Sequence, residues 1–437
     1  LNAKYPIRHY PDITHNVRCQ FPVPWWDPAL AFTLGREAIN PRPLQYAAIH
    51  NALAPDTVGF ISYSDGAHDD VNKVLWSQLA WNPETPVRDI LVDYSRYFFA
   101  PTVADEAADG ILGLERNWTG PLRDNEAVES TLALWKDLER KEPPIASPWR
   151  WKMCLVRAYY DAYTRQRLIR ESTLENEALD KLAEAPHNGS QKAIDAALAV
   201  LKKTDAEPTR PEMRKKIEEL CDSLFKLIGL QTSVPKYQGS DPQRGCFLDF
   251  LDRPLNDRWW LEDQFAAIGK LPTEKEKLDR LETLRAWERP APGSFYDQVG
   301  DRSLAPHEVI GDLKNVGEGL PSKTPIPEVL WWDKGFSRQK LAWMVVMNWP
   351  KALKYDNLDP NADYVIRTTG YGTCLLSIDG TPVKPTLDGR GIGEIKEFPV
   401  PKQLYRDGSL TLTFERPKEN VNWRQQSRLC EVWLLKL

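Results

Sequence analysis

The sequence predicts a multidomain chain of mixed class: an α/β segment, then a helical bundle, then a C-terminal antiparallel β-sandwich. Three observations predict it. A short β-branched and aromatic run passes through a polar loop into an amphipathic helix over residues 57–81. Apolar stripes of 3.6-residue period dominate residues 149–287. From residue 331 they give way to short strand-like runs separated by turn residues. The expected division is 1–148, 149–330 (with a linker) and 331–437, in keeping with a prior of roughly 150 residues per domain.

In the first zone, Thr57-Val58-Gly59-Phe60-Ile61-Ser62-Tyr63 suits a buried strand ending at Ser64-Asp65-Gly66. A helix is expected from Asp69 or Asp70, each a competent N-cap, with Val71, Val74, Leu75, Gln78 and Leu79 as its inner stripe. A second helix runs from Thr85-Pro86 to Phe99, with Pro86 in its first turn and Val87, Ile90, Leu91, Tyr94 and Phe98 inward. Strand, loop and helix in that order form the unit of a parallel α/β fold, whose sites gather at the carboxyl ends of strands.

The middle zone carries one apolar face through Trp151, Cys154, Leu155, Ala158, Tyr159 and Ala162, and repeats it over 193–201 and 213–228. Residues 241–258 interleave both charge signs and read as a self-neutralising loop. Pro290-Ala291-Pro292-Gly293 and residues 321–327 read as linker. Strands are expected at 363–369, 374–378, 409–414 and 429–435, with Asp379-Gly380 as a hairpin turn.

Composition narrows the function. Lys and Arg number 57 against 62 Asp and Glu, a net charge of −5, so no basic footprint points to nucleic acid. No apolar run approaches the roughly 18 residues of a membrane span. The six cysteines have no metal-ligand spacing and read as small buried hydrophobes. Gly-rich phosphate loops, GxSxG and HExxH are absent, so no cofactor and no metal site is expected. The departures from the ordinary are 17 Trp and 35 Pro, and Trp is common where proteins hold rings or other proteins.

Two constellations carry candidate chemistry. Ser64-Asp65-Gly66-Ala67-His68-Asp69-Asp70-Val71-Asn72-Lys73 follows the first strand and supplies carboxylates and an imidazole whose pKa values neighbours can separate. Gly66 would let the turn aim Asp65 and His68 into a cleft, while Asp69 and Asp70 also serve as helix caps. Near the start, Asp12, His15, Asn16 and Arg18 are types that fix hydroxyl-rich or anionic ligands, and adjacent Trp25 and Trp26 can stack on a sugar face or pack. The candidate catalytic set is Asp12, His15, Asp65, His68 and Asp69. The candidate substrate-binding set is Asn16, Arg18, Trp25, Trp26, Arg36, Glu37, Asn72 and Lys73.

The run Tyr10-Pro11-Asp12-Ile13-Thr14-His15-Asn16, the strand at 59–64 with its tail to Lys73, and Trp76 with Leu79-Ala80-Trp81-Asn82-Pro83 resemble the last strand–helix units of a large bacterial glycoside-hydrolase-like protein. In layout the chain is similar to the α-glucuronidases and hyaluronidase-type hexosaminidases: a (β/α)₈ barrel, a helical domain and a sandwich. Motif-like detail covers about residues 5–100. The resemblance implies a partial barrel, since eight strands need about 250 residues and about 140 precede the helical zone. It also implies a missing N-terminal portion of the same protein, an extracytoplasmic or secreted location, and a carbohydrate substrate. Asp12 and Asp65 would then be base, nucleophile or substrate-orienting groups, with His15 and His68 positioning hydroxyls. The alternative is a non-catalytic extracellular carbohydrate-binding or assembly protein, a homo-oligomer among its forms, in which Trp and Pro serve chain–chain packing.

Overall fold

A computed structural model describes residues 5–15, 27–35, 37–64, 66–142, 148–242, 244–299, 304–309, 327–328, 344–345, 349–415, 417–421 and 425–437. The chain forms two compact units, Leu1–Ile169 with Pro208–Arg253, and Arg170–Glu207 with Pro254–Leu437. Helices make up most of the first, and helices with antiparallel sheets make up most of the second.

In the first unit, residues 7–12 and 58–63 run parallel, bridged at His9 with Phe60 and Asp12 with Tyr63. Four main-chain bonds of 2.9–3.0 Å tie them, among them Ile61 N–H to the His9 carbonyl and Tyr63 N–H to the Pro11 carbonyl. The run at 57–63 is not the buried strand expected. Val58 is 69% and Ile61 53% exposed, because among the described residues the ladder has two strands and part of it is uncovered. The helix over Asp70–Trp81 turns Val71, Leu75, Trp76 and Leu79 inward. Leu75, Trp76 and Leu79 meet Ile13, Tyr46, Ile49 and Ile90 in one buried cluster. Gln78, expected on that stripe, faces solvent, and Trp76 takes the inner position. The helix Val87–Phe98 buries Ile90, Leu91 and Tyr94 as expected, with Pro86 at its N-cap rather than in its first turn.

The region before residue 148 holds more helix than its sequence announces. Pro43–Leu53, Ala104–Arg116 and Ala127–Lys141 are all α-helices. Trp135 seats its ring against Gly110 and donates its indole N–H to that carbonyl at 3.3 Å. The long helix Trp149–Leu182 buries Trp151, which meets Trp135 edge-on at 4.8 Å. One turn on, Arg157 and Asp161 form a fully buried pair at 2.7 Å, with Asn117 and Trp118 donating to the same carboxylate. Asn117 is thereby spent inside the core, which closes the glycosylation triplet Asn117-Trp118-Thr119 in the folded protein.

The second unit contains a helical cluster and a β-sandwich. Ser190–Leu201, Arg258–Gly269 and Glu274–Arg285 bury Leu201, Phe265 and Leu281 with Leu174 and Leu182 from the end of the long helix. The strands are β1 (Phe295–Gln298), β2 (Pro327–Glu328), β3 (Met344–Val345), β4 (Leu353–Tyr355), β5 (Tyr364–Tyr371), β6 (Leu375–Ile378), β7 (Thr381–Val383), β8 (Leu387–Asp388), β9 (Lys396–Pro399), β10 (Leu410–Glu415) and β11 (Arg428–Lys436). One sheet orders them β2-β3-β11-β5-β9-β8, with β1 also on β11, and the other β4-β10-β6-β7. All pairs are antiparallel, and both sheets feed one core that includes Tyr355, Ile366, Ile378, Leu412 and Val432. This is the sandwich the strand pattern predicts, with β1 and β2 added from before residue 331. Asp379 (φ 45°) and Gly380 (φ 77°) make the two-residue turn that pairs Ile378 with Thr381.

Charges in residues 241–258 find partners outside the loop. Asp252 takes Arg214 at 2.8 Å, and Arg258 takes Asp205 at 2.7 Å. Among the described residues no helix is long and apolar enough to cross a membrane. Cys154, Cys221, Cys246, Cys374 and Cys430 are buried thiols, and Cys19 lies outside the described residues.

Candidate functional site

The parallel ladder sets Asp12 beside Tyr63 at the carboxyl ends of its two strands. After Asp12 the chain folds back on its own side chain: Oδ1 accepts the amide N–H of Thr14 at 3.1 Å and of His15 at 3.0 Å. That turn returns the imidazole of His15 to the carboxylate that made it, with Nδ1 2.5 Å from Asp12 Oδ2. The other ring nitrogen, Nε2, lies 3.1 Å from Glu37 Oε1. Tyr63 stacks on the imidazole at 5.2 Å and 19°. A carboxylate–imidazole–carboxylate chain results, with its ring held in plane by an aromatic neighbour.

Burial grades along this chain. The Asp12 and His15 side chains are 18% and 14% exposed, while Glu37 is 2% exposed. Burial works to raise the Asp12 carboxyl. The His15 ring and the two amide donors outweigh it and hold Asp12 below the ordinary carboxylate range. Asp12 therefore stays ionised at its partly open end, and Glu37 closes the inner end, with Arg244 Nη1 3.9 Å from its second oxygen.

Asp69 is placed differently. It is buried and accepts from Thr14 Oγ1 at 2.5 Å and Ser64 Oγ at 3.1 Å, with Lys73 Nζ at 3.0 Å. Lys73 also donates to the Gly66 carbonyl. Asp69 occupies the N-cap position of the helix Asp70–Trp81 yet makes no capping bond with its side chain. Instead it stitches the two strand ends to the helix start. Asn72 does similar work: its amide donates to the carbonyls of Ile13 at 3.1 Å and Asn40 at 3.0 Å, and its oxygen accepts Arg42 N–H at 2.9 Å.

His68 stands on the far side of this stitch. Its Nε2 is shut from solvent without a partner, and an added Cβ on Gly245 would sit 2.4 Å from that atom. Gly245 has φ +75°, so both its backbone and the imidazole demand glycine there. Burial lowers the His68 pKa against the pull of Asp69 and Glu37, so the ring is neutral near pH 7.

The structure thus brings together Asp12, His15 and Glu37 in one chain, and buried Asp69 and Asn72 in a frame beneath it that the partly exposed Lys73 joins. Asn16, Arg18, Trp25, Trp26, Arg36 and Asp65 lie outside the described residues. Thr14, Ser64, Tyr63, Arg244 and Gly245 join the site without having been singled out for it in the sequence. Among the described residues no group of three or more His, Cys, Asp and Glu side chains is arranged to hold a metal.

No family model matches the chain, and no curated protein matches it. Among solved structures, a novel family GH115 4-O-methyl-α-glucuronidase with specificity for decorated arabinogalactans is similar to it at 11% identity and a TM-score of 0.28. That alignment covers 98% of this chain and 51% of the other, so the chain spans about half the length of that enzyme.

Proposed function

We propose that the chain is part of a carbohydrate-active protein in which Asp12 and His15 perform acid/base chemistry on a glycan, with glycoside hydrolysis as the activity. The observation that carries this reading is the imidazole of His15 held between an ionised, partly open Asp12 and a buried Glu37. A carboxylate kept ionised beside an imidazole can accept a proton from water or a sugar hydroxyl, and the imidazole can hold the neighbouring hydroxyl. Glu37 is a positioning residue that acts through His15. Asp69, saturated by three donors, belongs to the frame. Glycosidases use two carboxyl groups flanking the scissile bond, and Asp65 remains the proposed second one.

The test is release of reducing ends from a panel of plant and bacterial polysaccharides, including uronic-acid-bearing ones. Asp12→Asn is expected to lower turnover about 10²–10⁴-fold. Glu37→Gln is expected to shift the pH profile more than the KM. Absence of both glycan binding and turnover in the parent protein, or turnover indifferent to Asp12→Asn, would sink the proposal.

A second observation favours an assembly role for the same unit. The main-chain N–H groups of Phe60 and Ser62 take no part in the ladder, and Tyr5, Tyr10, Val58 and Ile61 are each more than half exposed along it. Parallel sheets are stable when further strands and helices cover them. We infer that this ladder joins additional strands, as the remainder of a (β/α)₈ barrel supplied by an N-terminal portion of the protein would provide. Glycan binding without turnover would favour the non-catalytic form of this reading.

A further inference from the structure

His9 stands at the opposite end of the ladder from Asp12, where the two strands start, and borders a cavity of about 230 Å³. His50, in the last turn of the helix Pro43–Leu53, lines the same cavity. Both imidazoles lie against Trp76 of the helix Asp70–Trp81, with ring centroids at 5.6 Å for His9 and 5.2 Å for His50. The cavity therefore collects one titratable ring from the ladder and one from a helix packed beside it.

Nothing in the described wall neutralises a charge on this pair. Apart from His9 and His50, the wall residues from the ladder, from both helices and from the loops contain no ionisable side chain among the described residues. The Nδ1 of His50 faces a neutral group, Asn51 Oδ1, at 2.8 Å. Burial, and then the neighbouring His50, lower the His9 pKa, so His9 is uncharged near pH 7. A state in which His9 meets water and leaves His50 binds the proton more tightly, and acid favours that state.

What His9 holds is the ladder itself. Its N–H donates to the Gly59 carbonyl at 2.9 Å, and its carbonyl accepts Ile61 N–H at 3.0 Å. Val58 and Ile61 beside these bonds are more than half exposed, and sparse burial of this kind marks a segment that opens locally. The cavity gives the two rings room to part.

We propose that His9 and His50 form a proton-operated latch, which keeps the start of the ladder closed on the helix Pro43–Leu53 near neutral pH and releases it in acid. Asp12 lies three residues further along the strand that His9 anchors. Release at His9 thus loosens the strand that carries Asp12, a consequence for activity that rests on the function proposed above. The latch itself does not depend on that function.

Amide hydrogen exchange of the full chain near pH 7 and near pH 5, corrected for the intrinsic rate, tests it against the helix Val87–Phe98 as internal reference. The amides of Val58, His9 and Ile61 are expected to lose about three- to thirtyfold more protection in acid than that helix does. His9→Gln removes the proton-binding ring and is expected to abolish the difference. His50→Gln removes the opposing charge, and is expected to raise the His9 pKa in an NMR titration and to shrink the difference by about half or more. Should His9→Gln fail to fold, His50→Gln and the titration of His9 in the parent protein decide. A ladder that loses protection only in step with the reference helix, a difference indifferent to the variant that folds, or a His9 that titrates at or above the ordinary value of about 6.5 would overturn the proposal. None of these readouts needs turnover, so a protein without glycan activity tests the latch equally well.

Discussion

Asp12 and Asp69 carry the same side chain within one site, and their surroundings divide the work between them. Asp12 keeps an open edge and an imidazole partner, whereas Asp69 is enclosed by the hydroxyls of Thr14 and Ser64 and the ammonium of Lys73. Removing an ionised acceptor with several donors leaves each donor unsatisfied, at about 1–3 kcal/mol for a buried group. Asp69→Ala is therefore expected to lower unfolding stability by about 2–4 kcal/mol in urea denaturation, and Asp12→Asn by less. His68 sets a pH dependence of its own. Its folded-state pKa lies below the ordinary 6.5, so the unfolded chain binds more protons just beneath that pH and stability rises as pH climbs through this window. Acidifying from pH 7 to pH 5 is expected to destabilise the parent protein, and His68→Gln to flatten that slope. An unchanged slope in the variant would show that other groups control it. Tryptophan, the compositional oddity of the chain, goes in part to the core: among the described residues Trp76, Trp118, Trp135 and Trp151 are fully buried, whereas Trp81 is 89% exposed. Trp287 and Trp433 continue the theme, the first donating to Glu431 at 3.1 Å and the second to the Trp287 carbonyl at 2.7 Å.

Elements with strong local signals are legible in the sequence. The Asp379-Gly380 turn is the clearest, because a two-residue hairpin needs positive φ at both positions and Asp-Gly supplies it. Gly380→Ala forces a Cβ into the left-handed region and is expected to lower stability by about 1–2 kcal/mol by thermal unfolding. Its surroundings are open, so the effect isolates backbone strain from packing. The helices Asp70–Trp81 and Val87–Phe98 were legible through their aliphatic stripes. Ala104–Arg116 is not legible in that way, because Ala107, Ala108 and Gly110 make much of its buried face and small residues carry little hydrophobic period. The run at 57–63 reads as a buried strand because β-branched and aromatic content reports extended backbone and cannot report how many neighbours the strand finds. The site divides in the same way. Asp12 and His15 are legible as a local pair, three residues apart. Glu37 is legible only as a residue type, and Arg244, more than two hundred residues away, has no local signal that could link it to Glu37. Asp69 shows the converse: helix-cap chemistry is written in the sequence, but tertiary hydroxyl donors capture its carboxylate.

At the scale of the whole molecule, sequence order and compact units part company. The chain leaves the first unit after Ile169, returns at Pro208 and leaves again after Arg253. Neither unit can therefore be assembled from one uninterrupted stretch. The second unit makes the consequence testable. Its sandwich core draws every buried member from Val299 to Leu434, and its strands run from Phe295 to Lys436, so the sheets need only that later stretch. Its helical cluster does not share this independence, because nine of its fourteen buried residues, Leu174 through Leu201, come from the earlier segment. Leu261, Phe265, Ile268, Leu281 and Leu284 would lose most of their partners without it, and each buried apolar side chain of that size is worth about 1.5–3 kcal/mol. A chain shortened to residues 254–437 is thus expected to keep protected amides in β5, β10 and β11 under hydrogen exchange. Residues 258–285 in the same chain are expected to exchange as an open segment, and adding residues 170–207 as a separate polypeptide should restore their protection. Full protection of 258–285 in the shortened chain would show that Trp260, Trp287 and Trp433, which meet edge-on at 5.1 and 5.5 Å, suffice to hold the helices to the sheet.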